Sequence, residues 1–88
     1  MRFPKGTELL VAVEVADTSA RQDLTTKRAL YARAGVPEYW VLDLNRRILI
    51  VHRAPAAGNY EDVQVVSESE TVFLQSANAT IRIADLLP

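Results

Sequence analysis

The 88 residues, 49% hydrophobic, 24% charged and 7% aromatic, leave room for one small domain over residues 1–88 and are too apolar for intrinsic disorder. Ten basic against eleven acidic residues give a net charge of −1, so any nucleic-acid contact needs a local patch. With no cysteine and a single histidine, His52, disulfide scaffolds, thiolate metal sites, cysteine nucleophiles and multi-histidine metal sites are excluded.

The first residues, Met1-Arg2-Phe3-Pro4-Lys5-Gly6, do not read as a signal peptide, and no apolar run approaches the roughly 18 residues of a membrane span. A soluble, cytoplasmic chain without membrane contact is expected. Residues 9–15, after Pro4 and Gly6, are apolar and rich in β-branched side chains. They predict a strand buried on both faces, as in parallel or mixed sheets. Asp17-Thr18-Ser19 are helix N-cap residues, good helix formers follow, Gly35 suits a helix C-terminus and Pro37 bars continuation. A helix over about 20–34 results. Residues 38–44 and 47–53 read as strands joined by a turn at Asn45-Arg46, hence an antiparallel hairpin. Residues 54–59, with Pro55 and Gly58, read as a loop. Residues 60–67 and 71–75 read as two further strands, 79–83 as a short alternating segment, and 84–88 close the chain. Strand, helix, strand implies a right-handed βαβ unit. The expected fold is α+β (mixed α/β), with one main helix, a mixed sheet and antiparallel strands after the βαβ unit.

Glu14 interrupts the first apolar strand near its carboxyl end. A buried carboxylate without a partner costs several kcal/mol, of order, so it either meets solvent or an ion-pair partner at the strand end, or serves a site there. In open α/β sheets ligands bind outside the carboxyl ends of the strands. Glu8, six residues earlier, shares its face but lies about 20 Å away along an extended strand, too far to share one metal ion. Leu24, Lys27, Tyr31 and Ala34 fall on one helix face. Lys27 on that face has two readings: a surface ion pair with Asp23 one turn earlier, or a reach over the sheet towards Glu14. Asp17 reads as a helix cap before a cation ligand. Tyr31, Tyr39 and Trp40 read as core aromatics before a base-stacking surface, and His52 as a packed core histidine.

The run Glu14-Val15-Ala16-Asp17-Thr18-Ser19, then Asp23, Lys27 and Leu30-Tyr31-Ala32-Arg33-Ala34-Gly35-Val36-Pro37-Glu38-Tyr39-Trp40-Val41-Leu42-Asp43, resembles the Uma-two putative restriction-endonuclease family (domain of unknown function 820), a branch of the PD-(D/E)xK nucleases. The resemblance covers about residues 7 to 88. It implies a restriction-endonuclease-like fold and hydrolysis of nucleic-acid phosphodiesters, DNA above all, with Mg²⁺ (or Mn²⁺). Glu14 matches the glutamate of the family's E-x-V motif and would bind the metal. Lys27 matches a lysine on the following helix that would steady the attacking water or the phosphate. Family members carry a longer N-terminal part with an aspartate metal ligand, and this sequence lacks its counterpart. The expectation is therefore a partial restriction-endonuclease core.

Two other classes stand beside the nuclease. One is a non-catalytic remnant that oligomerises as a homodimer, covering the sheet edge left open. The other is a nucleic-acid-binding module without cleavage, using Arg21, Arg28, Arg46, Arg47 and Arg53 on phosphates.

Overall fold

The computed structural model describes residues 11–16 and 21–88. Pro4, Gly6, Glu8, Leu9 and Leu10 and the cap cluster Asp17-Thr18-Ser19 lie outside the described residues, as do the side chains of Arg21, Asp23 and Leu24.

The chain runs β1 (Val11–Ala16), α1 (Arg21–Arg33), β2 (Glu38–Asp43), β3 (Ile48–Ala56), β4 (Asn59–Ser67), β5 (Thr71–Leu74) and β6 (Ala79–Arg82), with short 3-10 turns at Gln75–Ala77 and Ile83–Leu86. The first four strands form one sheet in the order β1-β2-β3-β4; β5 and β6 form a second, two-stranded antiparallel sheet. β1 and β2 are parallel, as a crossover through α1 requires, and the later pairs are antiparallel. This is the expected mixed sheet with one helix in a βαβ unit.

α1 ends where the sequence indicates. Gly35 adopts φ +75°, the Gly35 N–H reaches the Ala32 carbonyl, and the Val36 N–H reaches the Tyr31 carbonyl, each at 3.1 Å. This is a Schellman turn, which needs the left-handed backbone that glycine takes without strain. At the β2–β3 turn, Asp43 Oδ1 accepts the N–H groups of Asn45 and Arg46 at 3.0 and 3.1 Å. That short carboxylate closes the turn where the sequence places it.

The four-stranded sheet separates two cores. Ala12, Ala16, Tyr39, Val41 and Tyr60 meet Ala32 and Val36 on the α1 side. Trp40, Leu42, Leu49, Val51 and Val66 meet Val72 and Ile83 on the other. Alternation along β4 would put Tyr60 with Val66, yet Tyr60 joins the α1 side. The change of face falls where the β3–β4 ladder skips Ala54 (φ +58°) and Glu61.

Two expectations need correction. β1 is not buried on both faces: Val13 and Val15 are 55% and 61% exposed. Among the described residues β1 is an edge strand; on the face towards the second sheet Val11 packs against the core shared with Val72, whereas Val13 and Val15 lie outside it. Residues 54–59 are not a loop. β3 continues through Pro55, which pairs with Tyr60, and the connection shrinks to Ala57-Gly58. β2 pairs only as far as Arg53, so Pro55 breaks no bond to it. Ala57 (φ +52°) and Gly58 (φ +78°) are both left-handed, the geometry of a tight two-residue hairpin.

Candidate functional site

Strand register sets the site. Glu14 lies opposite Val41, Val41 opposite Ile50, and Ile50 opposite Val65, forming one row across the α1 face of the sheet. The preceding row is Ala12, Tyr39, His52 and Val63. Glu14 is thus the one charged side chain in its row, beneath the helix. The i, i+4 spacing of Lys27 and Tyr31 brings both onto the same helix face above it.

Lys27 Nζ lies 3.2 Å from Glu14 Oε2, a partner 13 residues away in sequence. The Tyr31 hydroxyl donates to Glu14 Oε1 at 3.4 Å, long for such a bond. Of the two readings of Lys27, the structure realises the reach over the sheet. The alternative partner, Asp23, has its side chain outside the described residues. The ion pair is half-buried, with the Lys27 and Glu14 side chains 35% and 22% exposed. Solvent therefore reaches both charges, and their attraction contributes about 1 kcal/mol at most. Burial first, and then the charge of Glu14, hold the Tyr31 phenol above the ordinary tyrosine range.

Behind Tyr31 stands an aromatic group. Ring centroids are 5.3 Å apart for Tyr31 and Tyr39, 5.1 Å for Tyr39 and His52, and 6.2 Å for Tyr39 and Tyr60. The Tyr60 hydroxyl donates to the Val36 carbonyl at 2.7 Å, and burial pushes its phenol up to about 12. His52 Nδ1 lies 2.9 Å from the Tyr39 carbonyl. Burial lowers its pKa, the Tyr39 hydrogen bond opposes that, and the Arg28 charge adds to the lowering. His52, Tyr39 and Trp40 are core residues, as the sequence indicates. Tyr31 is only partly buried and joins core to site.

The arginines are largely engaged. Arg47 forks onto Glu68 at 2.8 to 3.0 Å and reaches the Pro88 carbonyl at 3.4 Å. Arg46 Nε lies 3.7 Å from Asp43. Arg53 is bound to buried Glu38. Arg28 is half-buried on the α1 side, and the Arg21 side chain lies outside the described residues.

Glu38 is the residue that motif reading passes over. It is 1% exposed and accepts from Trp40 Nε1 (3.0 Å), Arg53 Nε (3.0 Å) and the Gln75 N–H (3.2 Å). A hairpin between residues 38–44 and 47–53 already sets Glu38 opposite Arg53, and that acid–base pairing was the available signal. Glu38 lies in the core opposite α1, fastening the second sheet to the first, and takes no part in the Glu14 cluster.

Among the described residues no three His, Asp or Glu side chains converge as a metal site. Glu14 has both oxygens engaged, and Asp43 spends Oδ1 on the turn. These residues by themselves do not fit the full ligand set of a divalent cation, which takes about six oxygens.

The sequence model of the Uma2 family, described as putative restriction endonuclease, matches residues 4–84. Among solved structures, the chain resembles the crystal structure of a putative nuclease belonging to DUF820 from Anabaena variabilis ATCC 29413. The TM-score is 0.61 at 19% identity, over 88% of this chain. The match spans 45% of that protein's length, so this chain corresponds to about half of it. No curated protein matches the chain.

Proposed function

The chain belongs to the Uma2 putative restriction endonuclease family, and from that premise we propose that residues 1–88 form a DNA endonuclease domain whose reacting centre is Glu14 and Lys27. The observation that carries this reading is the 3.2 Å approach of Lys27 to Glu14 across the βαβ unit, at a half-exposed position. A carboxylate and an ammonium held side by side suit phosphodiester hydrolysis. Glu14 accepts a hydrogen bond from the attacking water; as the water oxygen bonds to phosphorus, the bond to the leaving sugar oxygen breaks, the water's proton passes to solvent and solvent protonates the leaving oxygen. Lys27 places its charge against a phosphate oxygen, where negative charge grows in the transition state.

Mg²⁺ (or Mn²⁺) is the cofactor proposed with this centre: Glu14 would supply one ligand, and the described residues alone do not complete the shell. When bound it supplies Lewis-acid stabilisation of the phosphate. A cytoplasmic location belongs to the same proposal, and no helix among the described residues is long and apolar enough to cross a membrane.

Calorimetric Mn²⁺ titration of wild type, Glu14→Ala and Lys27→Ala, with supercoiled-plasmid cleavage alongside, tests it. Binding lost in Glu14→Ala and kept in Lys27→Ala, with cleavage lost in both, is the expected result. No Mn²⁺ binding and no cleavage by wild type would sink it.

One observation favours a second reading. Lys27 and Tyr31 already engage both Glu14 oxygens, as in a structural ion pair. The chain would then be a non-catalytic remnant, a homodimerisation module using the exposed Val13 and Val15 of β1. That reading requires a dimeric mass by light scattering and neither metal binding nor cleavage.

A further inference from the structure

We propose that Tyr31 is a positioning residue for Glu14, fixing the carboxylate plane by holding the oxygen that Lys27 leaves. Its functional meaning rests on the nuclease reading above; its geometry does not. A glutamate head on a flexible stem turns freely while one oxygen alone is held. Here Oε2 faces Lys27 Nζ at 3.2 Å and Oε1 faces the Tyr31 hydroxyl at 3.4 Å. The two donors stand one turn apart on a single helix.

The fork is tied to the core. The Tyr31 ring packs on Tyr39, which is wholly buried, and Tyr39 stacks on Tyr60 at an interplanar angle of 26°. Tyr60 is pinned through its hydroxyl to the carbonyl of Val36, the residue whose N–H closes the end of α1. Helix end, aromatic group and hydroxyl are therefore one packed unit, and the hydroxyl reaches Glu14 from a fixed base. A leucine at 31 would fill the same helix face and bring no donor.

Tyr31→Phe removes that atom and keeps the ring. In protein labelled with ¹³C at the glutamate carboxyl carbon, the Glu14 resonance is identified by its loss in Glu14→Gln. The expected result is that this resonance moves in Tyr31→Phe as well as in Lys27→Met, while the Tyr39 and Tyr60 ring signals stay in place. An unmoved Glu14 resonance in Tyr31→Phe overturns the proposal. On plasmid DNA, Tyr31→Phe is expected to lose on the order of tenfold in kcat with KM nearly unchanged, as a misplaced reacting group does. An unchanged kcat also overturns it. A wild-type chain that cleaves nothing refutes the nuclease reading instead, and the Glu14 resonance then decides the positioning role alone.

Discussion

Glu38 and Arg53 form the most enclosed ion pair among the described residues: Oε2 to Nε is 3.0 Å, with the side chains 2% and 20% exposed. Arg53 continues to the Phe73 carbonyl at 2.6 Å, and Glu38 also takes the Trp40 indole N–H and the Gln75 N–H. The pair thus joins β2, β3 and the β5–β6 hairpin. Removing one partner leaves a charge or several donors buried without compensation, at about 3–5 kcal/mol. Glu38→Ala or Arg53→Ala is expected to cost that much in urea unfolding, whereas Glu14→Gln, at a half-exposed pair, costs about 1 kcal/mol or less. A Glu14→Gln loss as large as that of Glu38→Ala would make Glu14 a structural residue.

The two glutamates also mark how far the sequence can be read. Glu14 was legible because it breaks an apolar strand, and Lys27 because it sits at helical spacing on a face that must cross that strand. The helix end was legible because Gly35 and Pro37 punctuate it. The burial of Glu38 depends on a hairpin folding back over Trp40, a contact between residues 37 positions apart that no local pattern carries. The exposure of Val13 and Val15 was hidden for a related reason: an apolar run has the same appearance in a central strand as in an edge strand, and only the strand order distinguishes them. The β3–β4 connection misleads because Pro55 is harmless beyond the end of β2.

His52 makes stability depend on pH. Burial lowers its pKa from 6.5, so the folded state favours the neutral ring. Below that value the unfolded chain binds more protons than the folded one, and stability falls with falling pH. Its contribution is complete above 6.5 and is lost as pH drops through the folded pKa. Glu68 and Glu70, whose pKa values are lowered from 4.5 by bonds from Arg47 and Ser67, act in a lower window. Urea midpoints between pH 8 and 5 are expected to decline in wild type and to flatten in His52→Gln. An equal decline in both would assign the effect elsewhere.

Tyr60 tests the aromatic anchor. Its hydroxyl bond to Val36 is buried, and Tyr60→Phe leaves that carbonyl without its donor, at a cost of about 1–3 kcal/mol. For a domain this small, each kcal/mol lowers Tm by about 4–8 °C. A Tm within a degree of wild type would show that the bond contributes nothing net.

The β3–β4 turn holds a removable strain. Ala57 sits at φ +52°, a conformation that costs a residue with a Cβ about 1–2 kcal/mol. Glycine relieves it and gives back about 0.5–1 kcal/mol in unfolded-chain entropy. Ala57→Gly is therefore expected to raise Tm by a few degrees. Gly58→Ala, at φ +78° with a Cβ only 3.3 Å from Arg33 Nε, is expected to lower it. The opposite order of the two variants would refute this account of the turn.

On the proposed nuclease reading, salt dependence separates the cations that would meet DNA from those that serve the fold. Arg47 is forked onto Glu68 and reaches the Pro88 carbonyl, so its charge is largely answered internally. Lys27 faces Glu14 across a half-exposed site where a phosphate can compete for it. Each phosphate contact adds about one unit to the slope of log affinity against log salt. Measured by fluorescence anisotropy on a labelled duplex, Lys27→Met is expected to reduce that slope by about one, and Arg47→Met to leave it unchanged. A slope that falls in Arg47→Met and not in Lys27→Met would move the nucleic-acid face away from Glu14 to the β2–β3 turn, and the nuclease assignment of the Glu14–Lys27 pair would fall with it.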